Sequence, residues 1–196
     1  MTGLTKQARY LTEKQTKNAV ARMGDYRNAL RNKVIIQLTM LAGLRAKEVS
    51  FLRWEHILDG HGQVADEITL TNDITKGKSG GKIPLNETLR QSLVALWQAS
   101  GREAARGSVI KSERGEAMRT QSVVNLLFAH YRKCDIQGAS SHSGRRTFIT
   151  NLARKISLAG GSMRDVQALA RHSNLQTTQR YVEQNSEAQK VAVRML

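Results

Sequence analysis

Apolar side chains recur at helical intervals along most of the chain. Leu30, Val34, Leu38 and Leu41 stand at i, i+4, i+8 and i+11, and predict a helix over 26–42 with Gly43 at its C-terminal end. A shorter helix over 11–22 is expected ahead of it, with Thr12 as N-cap, and another over 46–54 behind it. Residues 56–85 change character. Glycines at 60, 62, 77, 80 and 81 punctuate short runs rich in Ile and Thr, and E-I-T-L-T alternates with period two. Two or three antiparallel strands are expected there, with G-K-S-G-G as the turn before the last. Helical stripes then return at Leu89, Leu93, Leu96 and Trp97, and at Val123, Leu127 and Tyr131. Between them, 101–118 reads as a polar connection. Helices are expected over 142–157, over 163–171 behind a Ser162/Asp165 capping box, and through 176–195. The fold class is therefore mainly α with a small antiparallel sheet.

Composition narrows the partner. Among 196 residues, 31 Lys and Arg oppose 16 Asp and Glu, a net charge of +15. Such an excess selects polyanions, of which nucleic acid is the commonest. With 40% hydrophobic residues the chain can build an ordinary core. The longest apolar stretch, Val34 to Leu44, is interrupted by Gln37 and Thr39 and is too short to cross a bilayer. The first ten residues carry no apolar signal core, and the lone Cys134 gives no disulfide framework. A cytoplasmic, strongly basic protein with a polyanion as its leading partner, and without membrane partners, is the expectation.

Several local motifs fail on their own terms. G-K-S at 77–79 ends like a phosphate-binding P-loop, but the pattern needs a glycine where Asn72 stands and a helix where Gly80, Gly81 and Pro84 follow. His130 and Cys134 are four apart on a helix, yet no further ligands stand at metal spacing, so both read as ordinary side chains.

The last third carries more. S-H-S-G-R-R-T-F places His142 and Arg145 three apart at a helix start, on one face. R-H-S-N-L-Q-T-T-Q-R-Y places His172 nine residues before Tyr181, and L-A-G-L-R-A-K-E-V puts Arg45 and Glu48 three apart behind a glycine. Each fragment alone is equally at home on a solvated basic face. Together, and in this order, they resemble the tyrosine recombinase (phage integrase) family over residues 10–185. Arg45 and Glu48 match its first arginine element, His142 and Arg145 its H-x-x-R element, and His172 and Tyr181 its last. The family's hairpin lysine stands eight residues before a proline. Counting back from Pro84 selects Lys76 over Lys78 and Lys82. One departure is Arg171, where the family usually has glycine.

The resemblance implies that the chain cuts and rejoins DNA through a 3′-phosphotyrosyl intermediate, with a site of Arg45, Lys76, His142, Arg145, His172 and Tyr181. Arginine forks suit charge developing on non-bridging phosphate oxygens. Tyr181 would be the nucleophile, His142 or His172 the acceptor of its proton, and Lys76 the general acid at the leaving 5′-oxygen. Glu48 would orient Arg45 or a histidine. Lys78, Lys82, Arg146 and Arg171 would contact DNA. No cofactor and no metal are expected, since cationic side chains supply the charge a metal would. Residues 1–185 are expected to form one catalytic domain without a separate N-terminal DNA-binding domain, and 186–196 a tail that packs on its own core or docks on a neighbouring protomer. Double-stranded DNA is the expected partner, with a dimer or tetramer of the chain on it and accessory DNA-bending proteins beside it. A DNA-binding regulator with a dormant site, or a type IB topoisomerase, would share much of this pattern.

Overall fold

The computed structural model describes residues 8–75, 80–101, 107–181 and 193–194. Helix α1 (Glu13–Ala21) opens on a capping box in which Thr12 accepts the Gln15 N–H and Gln15 Oε1 accepts the Thr12 N–H. Helix α2 (Ala29–Leu41) is the centre of the domain. Its expected stripe is present, but burial extends round the whole helix from Val34 to Met40. Helix α4 (Glu87–Ala99) and helix α6 (Ser143–Lys155) pack on it, while α3 (Ala46–Phe51) packs on α5 (Thr120–Lys133).

The helix expected over 46–54 divides. After Phe51 the backbone extends, and Trp54–His56 forms a separate 3-10 turn whose first N–H donates to Gly107 O. Among the described residues the sheet has two strands, β1 (Glu67–Leu70) and β2 (Gly81–Pro84), paired antiparallel with Ile68 opposite Ile83. The third stretch is only a bridge between Leu58 and Val64. Of the expected turn, 77–79 lie outside the described residues. Gly80 N–H donates to Asn72 Oδ1 at 3.0 Å, and a Cβ at Gly80 would stand 2.6 Å from Leu70 O. Within the connection at 101–118, bridges pair Arg53 with Ser108 and Lys111 with Ala117.

His130 and Cys134 sit inside the core. The His130 ring bonds Ala19 O through Nε2 at 2.7 Å and Tyr26 Oη through Nδ1 at 3.0 Å, fastening α1 and its following turn to α5. Burial lowers its pKa, which keeps the ring neutral.

Helix α7 (Met163–Ala170) begins at the Ser162/Asp165 capping box and ends at Arg171 in the left-handed conformation. Helix α8 (Leu175–Gln179) follows an Asn174 cap. Apolar residues form a large core around α2 and a small one of Ile149, Val166 and Ala170, against which Phe148, Met163 and Tyr181 pack. The helix expected through 176–195 ends at Gln179, Arg180 and Tyr181 form a turn, and beyond them only Val193 and Arg194 are among the described residues. Among the described residues no helix is long and apolar enough to cross a membrane.

Candidate active site

Arg45 caps the N-terminus of α3, and α3 returns Glu48 beneath it. Arg45 Nη1 donates to Glu48 Oε1 at 2.8 Å, and the Arg45 backbone N–H donates to Glu48 Oε2 at 2.8 Å. The Glu48 side chain is 1% exposed, whereas that of Arg45 keeps 26%. A buried carboxylate is tolerated only when its charge and lone pairs are met, and this one is met three times. The third donor is Arg171 Nη2, at 2.6 Å from Oε2.

Positive φ at Gly43 (+65°) turns the chain from α2 into this element. Phe148 of α6 closes on it so tightly that a Cβ at 43 would overlap the ring. Arg145, on the same helix as Phe148, is 4% exposed and reaches through the packing. Its Nη1 donates to Gly43 O and its Nη2 to Ala170 O. These carbonyls lie two residues before Arg45 and one before Arg171. Arg145 therefore ties together the two turns that carry the other guanidinium groups. Burial, then the charges of Arg45 and Arg171, bring its pKa down to about 9, so it remains a cation at neutral pH.

His172 follows Arg171. Its Nδ1 lies 3.0 Å from Oγ1 of the buried Thr178, and its ring stacks on Tyr181 with centroids 5.6 Å apart and planes at 26°. Burial and the cations Arg145, Arg45 and Arg171 push its pKa down to about 4. A neutral imidazole thus lies against the phenol, next to a cluster of cations. The Arg146 guanidinium stands over the Tyr181 ring, 5.8 Å from its centroid. Thr150 Oγ1 donates to Tyr181 O at 3.3 Å.

The structure therefore brings Arg45, Glu48, Arg145, Arg171, His172 and Tyr181 into one connected cluster, with Arg146 against the tyrosine. His142 caps α6 one turn before Arg145 and is exposed; its backbone N–H donates to Ser140 Oγ at 3.3 Å. Lys82 is exposed on β2 and pairs with Glu67 across the sheet. Lys76 and Lys78 lie outside the described residues. Arg171 departs from the surface contact expected of it: it is 7% exposed and turned inward onto Glu48. The left-handed turn at the end of α7 directs it there. Thr178 is a site residue that the sequence reading did not single out, and its contact with His172 arises from α8 folding back on α7. Among the described residues no group of three His, Cys, Asp or Glu side chains could hold a metal ion.

A mainly helical domain carrying a small antiparallel sheet, with clustered arginines beside a histidine–tyrosine stack, has the fold of tyrosine recombinase catalytic domains. The crystal structure of XerA recombinase superposes with a TM-score of 0.74 at 19% identity, over 98% of this chain and 65% of that one. The Tn1549 transposon integrase, in complex with circular intermediate DNA, superposes with a TM-score of 0.75 at 20% identity, over 100% and 70%. A model of the Phage integrase family matches residues 9–188, and the chain belongs to that family. Tyrosine recombinase XerC of Pelobacter propionicus is 25% identical over 157 residues, which cover 78% of this chain and 47% of the relative. The chain spans about half the length of the curated relatives it matches.

Proposed function

We propose that the chain is the catalytic part of a site-specific DNA recombinase that cuts and rejoins strands through a 3′-phosphotyrosyl intermediate. The observation that carries this reading is the stack of His172 on Tyr181 beside Arg45, Arg145 and Arg171. The Tyr181 oxygen attacks phosphorus, the bond to the 5′-oxygen breaks, and Lys76 gives that oxygen its proton. In the tautomer that donates Nδ1–H to Thr178 Oγ1, Nε2 of His172 is the nitrogen that takes the phenol's proton. Arg45 and Arg145, with His142 at the rim, stabilise charge on the non-bridging oxygens. Rejoining reverses these steps with another strand's 5′-hydroxyl, so the phosphodiester energy is conserved.

DNA is the substrate on two further grounds: the +15 charge, and the circular intermediate DNA bound by the similar Tn1549 integrase. The reaction runs without a metal, since the charge it needs comes from arginine and lysine. Residues 1–185 act as one catalytic domain, and two or four copies assemble on DNA with accessory DNA-bending proteins, in the cytoplasm.

The direct test is covalent capture. The chain is incubated with a library of nicked duplexes of random sequence, and protein–DNA adducts are resolved on a denaturing gel. The expected result is an adduct with the parent chain, none with Tyr181→Phe, and equal DNA binding by both. An adduct that persists in Tyr181→Phe removes Tyr181 from its role.

A further inference from the structure

Arg45 and Glu48 would make a complete ion pair by themselves, yet a second guanidinium reaches the same carboxylate. Arginine and carboxylate prefer two parallel bonds, one to each oxygen. In this site Oε2 is already taken, by Arg171 Nη2 at 2.6 Å and by the Arg45 backbone N–H at 2.8 Å. Among the described residues Arg45 is left with a single side-chain bond, from Nη1 to Oε1. The rest of its guanidinium has no bond to the described residues, on a side chain with 26% exposure against 3% for Arg171.

Placing Arg171 there is costly. It is a non-glycine residue at φ 53°, ψ 48°, a conformation that disfavours a side chain by about 1–2 kcal/mol. Its Nε and Nη1 are buried without a hydrogen-bond partner among the described residues. Its stem runs beside β2, where a Cβ at Gly81 would stand 3.9 Å from Arg171 Cδ. Strain of this kind persists where the surroundings over-determine it, and it gathers at functional sites.

We infer that Arg171 is a positioning residue: by occupying one oxygen of Glu48 it prevents Arg45 from closing on the carboxylate as a two-bond pair, and so keeps the Arg45 donors available to the scissile phosphate. The inference rests on reading this site as a phosphodiester site. Arg171 itself touches no substrate atom. Without it, Oε2 keeps only the Arg45 backbone N–H and one of its acceptor positions opens, Arg45 folds back onto Glu48, and the site loses grip on an anion although both Arg45 and Arg145 are still present.

The experiment is a double-mutant cycle on the full chain, read by calorimetric titration with inorganic phosphate. Arg171→Met is expected to weaken phosphate binding about tenfold, the size of one charged hydrogen bond. In a Glu48→Gln background the same substitution is expected to change it less than about twofold, because the competing carboxylate is already gone. An equal loss in both backgrounds would mean that Arg171 acts by its own charge or by general stability, and would overturn the inference, as would no loss in either. Arg171→Gly, which relieves the left-handed backbone, repeats the cycle should the methionine variant not fold. Covalent capture on DNA is scored alongside. A parent chain that forms no adduct defeats the recombinase reading and leaves the phosphate cycle interpretable. Normal capture with a flat cycle defeats only the role of Arg171.

Discussion

Gly144 of α6 meets Thr39 of α2 so closely that a Cβ at 144 would overlap the threonine hydroxyl. Thr39 cannot retreat, being fully buried and donating from Oγ1 to Ile36 O at 2.8 Å. The two helices therefore touch backbone to side chain, and the next residue, Arg145, is delivered between Gly43 and Ala170. Gly144→Ala should cost about 1–3 kcal/mol in urea unfolding, the usual penalty of overpacking. It should also weaken phosphate binding, because α6 must shift and Arg145 with it. Unchanged stability would show that the α2–α6 contact is looser than described.

His172 gives the protein a signed pH dependence. Its folded pKa of about 4 lies below the ordinary 6.5, so between these values the unfolded chain binds more protons than the folded one. Stability is then fully present above about pH 6.5 and is lost as the pH falls toward 4. Burial shifts His56 and His130 in the same direction. Urea midpoints measured from pH 4.5 to 7.5 should rise with pH, and His172→Gln should flatten that rise. An equal slope in the variant would assign the whole effect to the other two.

Lys76→Ala should slow covalent capture far more than Lys78→Ala or Lys82→Ala. Lys82 already pairs with Glu67 on the exposed strand, which leaves it poorly placed to deliver a proton. A substrate with sulfur in place of the bridging 5′-oxygen needs no proton on its leaving group. It should restore most of the rate lost in Lys76→Ala and none of that lost in Arg45→Ala. Rescue of Lys78→Ala instead would move the acid by two residues.

Covalent capture should continue in excess chelator, because guanidinium and ammonium groups supply the charge. Cleavage that stops in chelator and returns with magnesium would replace that mechanism. DNA affinity should also fall steeply with salt, with a log–log slope near −0.9 for each phosphate neutralised.

Much of this arrangement was legible in the sequence, because local chemistry specifies it. Thr12, Ser162 and Asp165 announced their helix starts, and cap bonds of this kind need no tertiary context. Two features were not. The burial of the polar residues Asn32, Gln37 and Thr39 has no signal in the stripe of Leu30, Val34, Leu38 and Leu41, because it comes from neighbours that cover α2 on every side. Arg171 looked like a surface cation. Only the left-handed turn after α7 and the buried carboxylate of Glu48, 123 residues away in the chain, draw it inward. The glycine expected at that position was the available signal: whatever replaces it inherits a backbone that points its side chain into the site.

The division of apolar packing into a large and a small core sets the order in which the site comes apart. Arg45 and Glu48 belong to elements packed on α2, whereas Tyr181 packs against the small cluster of Ile149, Val166 and Ala170. Fewer buried apolar groups mean a lower free energy of local opening. Amide hydrogens of α7 and α8 should therefore exchange with solvent well before those of α2, so that the histidine–tyrosine edge can breathe while the arginine–carboxylate floor stays shut.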